Sequence, residues 1–448
     1  MPTVTISDVE LLAPRESAGL VGFQLQQPTV GSRDAYAISF EGWVLAHDVP
    51  TVALELSARG YRSRLPVGLP RNDLAEAHPD LPHARLHSGF RVAASIMGLP
   101  AQFKLRVTAV LADDRRIPLA RVHGYRQPLP EEGTSMQPLL VTSLGRTGTT
   151  WVMDLVSRHP DVIAHDVWKG EIKVAAYWAE ILAMLGRPAS YLQAITADLR
   201  GGQWYVGTNR LFDERVDDAA TEDWLGKNQV EAAARFCRER IEAFYEREQS
   251  LQGKKHARYF AEKSLPRTPA YADVLKELFP GLREVFLVRD FRDMLASIFA
   301  YNARMGQLSF QRDLADSDEE YVRKFLGRDL STLLRGWRHR GDRAFLVRYE
   351  DLALNPEETL TALLGYLDLH ADGPVLDRIL AGPGEASKAK ERQHRTSASL
   401  TESMGRWRKD LDPELIAVCE DVFGEALLEF GYLGAPVATA GADVIPEA

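Results

Sequence analysis

Leu139-Leu140-Val141-Thr142-Ser143-Leu144-Gly145-Arg146-Thr147-Gly148-Thr149-Thr150-Trp151 is the stretch that decides the fold. Residues 139–142 form a short apolar run suited to a buried strand, and residues 151–158 place Trp151, Leu155 and Val156 on one helical face. A chain that leaves a strand and turns tightly into a helix points successive N–H groups inward, at the positive end of the helix dipole. Glycines permit the turn, Arg146 adds a full charge, and Thr149 and Thr150 add hydroxyl donors. The pattern predicts an anion site; a Gly/Thr-rich loop that only caps a helix is the plainer alternative. A Walker A loop carries Lys after its last glycine. Here Thr149 follows Gly148 and the cation lies two residues before that glycine, which counts against ATPase or kinase chemistry.

Outward from this loop the chain changes character. Before it, short runs rich in β-branched and aromatic residues recur at 35–40, 51–56, 103–111 and 117–123, with Asp113-Asp114-Arg115-Arg116 as a hairpin turn. Residues 1–130 therefore read as an all-β, sandwich-like domain. A Pro-, Gly- and acid-rich linker at 127–135 follows. After it, helical patterns at 171–185, 229–249 and 271–278 alternate with apolar runs at 284–288 and 344–347. Asn355-Pro356 and Asp412-Pro413 open two more helices, and Gly431 stops the last. Residues 137–433 thus read as an α/β domain, a parallel sheet flanked by helices, and 434–448 as a disordered tail.

The chain has 448 residues, with 54 Lys and Arg against 63 Asp and Glu for a net charge of −9. That balance disfavours a general nucleic-acid binder, which carries a basic excess. Two cysteines, Cys237 and Cys419, suggest a reducing compartment. The first residues lack a basic, apolar leader pattern, and residues 174–186 are too short to span a bilayer, so the expected location is cytoplasmic.

Two further clusters sit at the ends of predicted strands. In Leu287-Val288-Arg289-Asp290-Phe291-Arg292-Asp293, Arg289 ends the strand and Ser297 follows within the next helix. Ligands of doubly wound sheets bind at the carboxyl ends of strands, where Arg suits bidentate contact with phosphate; a surface salt-bridge cluster is the alternative. In Val347-Arg348-Tyr349-Glu350-Asp351-Leu352, Tyr349 is placed to contact a base or phosphate, whereas Glu350 and Asp351 read as charges on a solvated face.

Together with Gly405-Arg406-Trp407-Arg408-Lys409-Asp410-Leu411, these motifs resemble, in order and spacing, the sulfotransferases that use 3′-phosphoadenosine 5′-phosphosulfate (PAPS). The resemblance covers 137–433, is strongest to the bacterial branch, and shares features with tyrosylprotein and carbohydrate sulfotransferases. It implies a sulfotransferase fold with PAPS as co-substrate and no required metal. Arg146, Thr147, Gly148, Thr149 and Thr150 would bind the 5′-phosphosulfate, and Trp151 would lie against the adenine. Arg289 and Ser297 would hold the 3′-phosphate and Tyr349 would complete the pocket. The Arg-Lys-Gly clamp of the cytosolic enzymes is missing at 400–402, and Arg406 or Arg408 is the candidate replacement.

By analogy with phosphoryl transfer, catalysis here is positioning, a base on the acceptor hydroxyl and cations on the leaving oxygen. The resemblance implies Arg146 and Lys263 as the cations and Glu171, whose Glu-x-basic pattern with Lys173 resembles that of the tyrosylprotein enzymes, as the base, with His165, Asp166 and Glu262 as alternatives. His394, Thr396 and Ser397 form a further polar group. The acceptor is expected to be a hydroxyl of a carbohydrate or glycolipid, with Trp168, Tyr177, Trp178, Trp204 and Tyr205 as candidate stacking residues. The competing functions are a P-loop kinase, and a binding protein whose N-terminal β-domain is the working module.

Overall fold

The computed structural model describes residues 3–12, 19–58, 61–85, 87–130, 133, 136–165, 171–185, 227–265, 269–381 and 400–433. The expected tail at 434–448, and Asp166, Trp168, Trp204, Tyr205, His394, Thr396 and Ser397, lie outside these residues. The chain forms two compact units. One comprises Met1–Thr134, Val174–Phe244 and Pro269–Gly281; the other comprises Ser135–Lys173, Tyr245–Thr268 and Leu282–Ala448.

The first unit is built on antiparallel strands: β1 (Val4–Leu11), β2 (Leu20–Gln27), β3 (Arg33–Asp34), β4 (Ala37–Ala46), β5 (Thr51–Ser57), β6 (Arg62–Pro66), β7 (Gly89–Ser95), β8 (Gln102–Leu111) and β9 (Arg116–Arg126). They form a six-stranded sheet, β3-β1-β9-β8-β5-β6, and a three-stranded sheet, β2-β4-β7. The four predicted runs are β4, β5, β8 and β9, and Asp114 takes a positive φ of 66° in the β8–β9 turn. Strands β1 and β2 carry too little apolar alternation to be read from sequence: β1 buries only Val4 and Ile6, and no residue of β2 is fully buried.

Val174–Phe244 and Pro269–Gly281 follow the linker in sequence yet cluster with these strands. A buried carboxylate accounts for part of this. Glu277 pairs with Arg126 and accepts from the backbone N–H of Gly98 and Leu129, each at 3.3 Å. The Tyr36 hydroxyl donates to Glu231 at 2.9 Å. A helix segment drawn by such partners packs where its buried charge is satisfied, which a linear boundary does not reveal.

The second unit holds a five-stranded parallel sheet: β10 (Gln137–Thr142), β11 (Val162–Ile163), β12 (Tyr259–Ser264), β13 (Arg283–Val288) and β14 (Phe345–Arg348), in the order β11-β12-β10-β13-β14. Side chains alternate across it. Leu139, Val141, Val285 and Leu287 join one core with helices Thr149–Val156 and Pro356–Tyr366. Phe286 and Val288 join another with helices Phe291–Met305 and Pro413–Glu429. Strand β10 is central: the chain builds outward from it to β12 on one side and β13 on the other, which creates a crevice at the carboxyl ends. Asp412 caps its helix by accepting from the Leu415 N–H at 2.8 Å, and Gly431 follows with a φ of 75°.

Among the described residues no helix is long and apolar enough to cross a membrane. Under the central strands, Glu284 accepts from Thr142 Oγ1 at 2.7 Å and from Arg340 Nε at 2.6 Å, with the two charged side chains 3% and 2% exposed. Removing one partner leaves an uncompensated buried charge. Arg340→Ala is therefore expected to cost about 3–5 kcal/mol, read as a lower urea midpoint of the unfolding transition; an unchanged midpoint would show that the pair contributes nothing.

Candidate active site

The loop 143–148 leaves β10 and enters the helix Thr149–Val156. Two residues in it adopt positive φ, Arg146 at 66° and Gly148 at 93°. Gly148 is the N-cap and has no side chain to offer, so no cap covers the first-turn amides. A Cβ at Gly148 would stand 2.7 Å from the Tyr349 ring, so the backbone conformation and the space both require glycine. Thr147 is buried, and its hydroxyl turns inward to donate to the Leu144 carbonyl at 2.9 Å. It shapes the loop through its side chain.

On one side of the loop lies a group of guanidiniums. Arg146 Nε donates to Ser297 Oγ at 3.3 Å, and its guanidinium carbon sits 4.8 Å from the centre of the Tyr301 ring. Arg289 donates to the carbonyls of Arg146, at 3.4 Å, and of Ser403, and lies 4.7 Å from the Tyr349 ring centre. The buried Arg289 Nε has no hydrogen-bond partner among the described residues. Burial pushes the Arg146 guanidinium down to about 10; Tyr301 opposes the shift and Arg289, Arg304 and Arg406 add to it. A base with a depressed folded pKa makes the fold gain stability only as pH rises through that value toward the unfolded one. At neutral pH Arg146 is held charged at a cost, which a bound anion would offset.

On the other side, Lys263 Nζ donates to Thr150 Oγ1 at 3.2 Å and to Glu171 Oε1 at 2.5 Å. The Lys263 side chain is 11% exposed and that of Glu171 is 54% exposed. Glu171 stands in a turn ahead of the helix that begins at Val174, rather than in its first turn. Among the alternative bases, Glu262 is buried and accepts from Tyr245 at 3.0 Å. One residue before Lys263 on β12, it faces the opposite side of the sheet. His165 is half-buried.

The remaining predicted residues frame these two groups. Trp151 meets Tyr349 edge to face at 5.5 Å, and the Tyr349 hydroxyl lies 3.0 Å from Ser403 Oγ. Arg406 holds Asp410 through Nε at 2.6 Å, whereas exposed Arg408 stacks 4.3 Å from the Trp407 ring centre. Two readings of the motif charges are corrected. Arg289, Asp290, Arg292 and Asp293 are all buried, not a surface cluster. Glu350 is not a solvated charge: it accepts from the Asp290 N–H at 3.0 Å and the Tyr432 hydroxyl at 2.7 Å, and burial raises its pKa. Asp293, whose pKa burial also raises, accepts from the N–H groups of Gly405 (2.6 Å) and Trp407 (3.0 Å) and so fixes the Gly405-Arg406-Trp407 turn beside the site. Ser403, Tyr301 and Phe310 were not singled out in the sequence; only the nearby Gly405-Arg406-Trp407 motif and Ser297 hint at them. Among the described residues no group of three or more His, Cys, Asp or Glu is placed to hold a metal ion.

A sequence model described as the sulfotransferase family matches residues 138–373. The chain belongs to the sulfotransferase family. The match spans the loop, Lys263, Arg289, Ser297 and Tyr349, and ends before Ser403 and Arg406. No curated protein matches this sulfotransferase significantly. Among solved structures it is similar to the sulfotransferase domain from the curacin biosynthetic pathway, with 15% identity over 66% of this chain and 98% of that one and a TM-score of 0.38. It is similar to a mouse sulfotransferase complexed with PAP at 11% identity, covering 65% and 84%, with a TM-score of 0.37. The sulfotransferase STF9 from Mycobacterium avium is 16% identical, covering 66% and 78%, with a TM-score of 0.34.

The open helix terminus and the guanidinium group make a physical prediction independent of the co-substrate. Millimolar inorganic phosphate should raise the melting temperature of the wild-type sulfotransferase, and Gly148→Ala should abolish that rise. Equal stabilisation of both proteins would place the anion site elsewhere.

Proposed function

We propose that this sulfotransferase moves the sulfuryl group of PAPS to a hydroxyl acceptor, a carbohydrate or glycolipid. The observation that carries the reading is the separation of cations around one loop: Arg146, Arg289 and Ser297 on one side, and Thr150, Lys263 and Glu171 on the other. A ligand with two separated anionic groups fits that division better than a single phosphate does. The orphaned Arg289 Nε, the uncapped helix and the glycine cradle under Tyr349 fit a nucleotide of this kind. Bound PAPS supplies an activated sulfuryl group, with adenosine 3′,5′-bisphosphate as the leaving group.

The chain's own residues then divide the work. The first-turn amides and Thr150 bind the transferring end. Lys263, already hydrogen-bonded to Thr150, brings positive charge and a proton to the oxygen on which charge grows. Glu171, paired with Lys263 and open to solvent, takes the proton of the acceptor hydroxyl. Arg146, Arg289 and Ser297 hold the distal phosphate, and Trp151 and Tyr349 wall the base. This gives the leaving-oxygen role to Lys263 rather than Arg146, whose guanidinium lies with Ser297.

Labelled PAPS presented with a panel of glycans, glycolipids, phenols and peptides tests the reading; transfer to none of them, with no binding of adenosine 3′,5′-bisphosphate, would sink it. Lys263→Ala should lower kcat by roughly 100- to 1,000-fold. Arg289→Ala should mainly raise the nucleotide KM. Glu171→Gln should abolish turnover with nucleotide binding intact; near-wild-type rates would move the base to another group.

A further inference from the structure

We propose that the outer face of the six-stranded sheet in the first unit binds a linear acidic polysaccharide, a glycan that carries carboxylate or sulfate groups along its length.

Strand register lays three rows of side chains across that face, because residues paired on neighbouring strands point to the same side of a sheet. The first row runs Arg33 (β3), Thr5 (β1), Tyr125 (β9) and Gln102 (β8). The second runs Asp8, His123 and Lys104. The third runs Glu10, Arg121, Arg106, Ser57 (β5) and Arg62 (β6), and beyond it Arg64 stands opposite Glu55. The intervening Phe103, Leu105, Val122 and Leu65 are buried, so the rows lie on the outward side. Arg33, Arg62, Arg64, Lys104, Arg106 and Tyr125 are exposed. Cations outnumber acids on this face, in a chain whose net charge is −9.

Folding alone does not account for the pattern. Arg106 stands directly opposite Arg121, and like charges facing each other across a ladder weaken it. Arg121 is relieved, since its Nη1 donates to both oxygens of Glu10, at 2.9 and 3.1 Å. Arg106 is not. Its side chain, like those of Arg33, Arg64 and Lys104, has no hydrogen bond or ion pair among the described residues. These four charges are held out to solvent on regular strands, where an anion can reach them.

The arrangement selects among polyanions. Nucleic acid presents closely spaced phosphates, and these would meet Asp8, Glu10 and Glu55 between the cations. A bilayer calls for apolar side chains that insert beside the basic ones, whereas this face offers polar rows and the Tyr125 ring. An acidic glycan has wider charge spacing, with hydroxyls between the charges. Guanidiniums take its carboxylates or sulfates in bidentate fashion. The interspersed carboxylates accept from its hydroxyls. Tyr125, 53% exposed, supplies a flat apolar surface for a sugar ring. Six strands at a spacing of about 4.8 Å make a platform roughly 24 Å across, enough for several sugars. On a sulfotransferase such a face retains a polymeric acceptor, or a product that gains charge with each transfer. That use rests on the function proposed above; the binding does not.

Calorimetry on the full chain without nucleotide tests the face, using polygalacturonate and dextran sulfate as probes and neutral dextran, single-stranded DNA and phosphatidylserine vesicles as controls. At least one acidic glycan should bind and should weaken as salt rises, and neutral dextran should not bind. Lys104→Ala with Arg106→Ala should weaken that glycan about tenfold, while the melting temperature holds or rises because an opposed pair of arginines is gone. Arg62→Ala with Arg64→Ala should weaken it in the same direction, and decides the matter if the first variant does not fold. Tyr125→Ala should weaken it about threefold. Binding of neither acidic glycan, unchanged binding by the double variants, or tighter binding of DNA or vesicles would overturn the proposal. With no nucleotide present, none of these results bears on sulfuryl transfer, so the two proposals fail separately.

Discussion

The helix that begins at Thr149 has an N-cap without a side chain, so among the described residues no cap covers its first amides. Almost every neighbouring feature keeps that terminus open and positive. Gly148 sits under the Tyr349 ring in a conformation that other residues adopt only with strain, and no side chain of the loop folds back to cap it. Thr147, the residue best placed to do so, spends its hydroxyl on the Leu144 carbonyl. Lys263 reaches the helix from the neighbouring strand β12, whose register sets Lys263 beside Val141 of β10. The surroundings of that terminus are thus a property of two parallel strands and one helix, not of a loop alone.

Buried carboxylates do the complementary work. Glu284 ties β13 to β10 and to Arg340 beneath the crevice. Glu350 fixes the start of the helix after β13 through the Asp290 amide, and Asp293 anchors the turn that carries Arg406. Each is satisfied by N–H or O–H donors, and the charge of Arg289 acts on Asp293 and Glu350 against the rise that burial causes. Arg146 and Arg289 donate to carbonyls and a hydroxyl and lie against aromatic faces.

How much of this was legible depended on whether function disturbed the local pattern. Strands β10, β13 and β14 were readable as apolar runs because both their faces are covered. Strand β12 was not: Tyr259-Phe260-Ala261-Glu262-Lys263-Ser264 carries two charges in six residues, since Glu262 serves Tyr245 on one face and Lys263 serves the site on the other. The residues of the motifs were visible, but their partners were not. Ser403 contributes a carbonyl and Phe310 a ring delivered by strained backbone, and neither leaves a mark in residue type or spacing. The membership of Val174–Phe244 in the first unit was hidden for a similar reason, because it depends on long-range pairs such as Tyr36 with Glu231.

The choice of arginine at 146 follows from this division. A lysine there would carry a compact charge on a flexible stem, able to follow the transferring group but not to stack on Tyr301. Arginine is longer, planar and a poor proton donor, so it suits a place where charge must be held and not moved. Lys263, on a strand and hydrogen-bonded to Thr150, has the opposite virtues, and the function proposed above uses it as the proton donor to the leaving oxygen. The two cations are therefore not interchangeable copies of one function. One is a planar charge held in the loop against Ser297 and Tyr301, and the other is a compact charge on a strand beside Thr150 and Glu171.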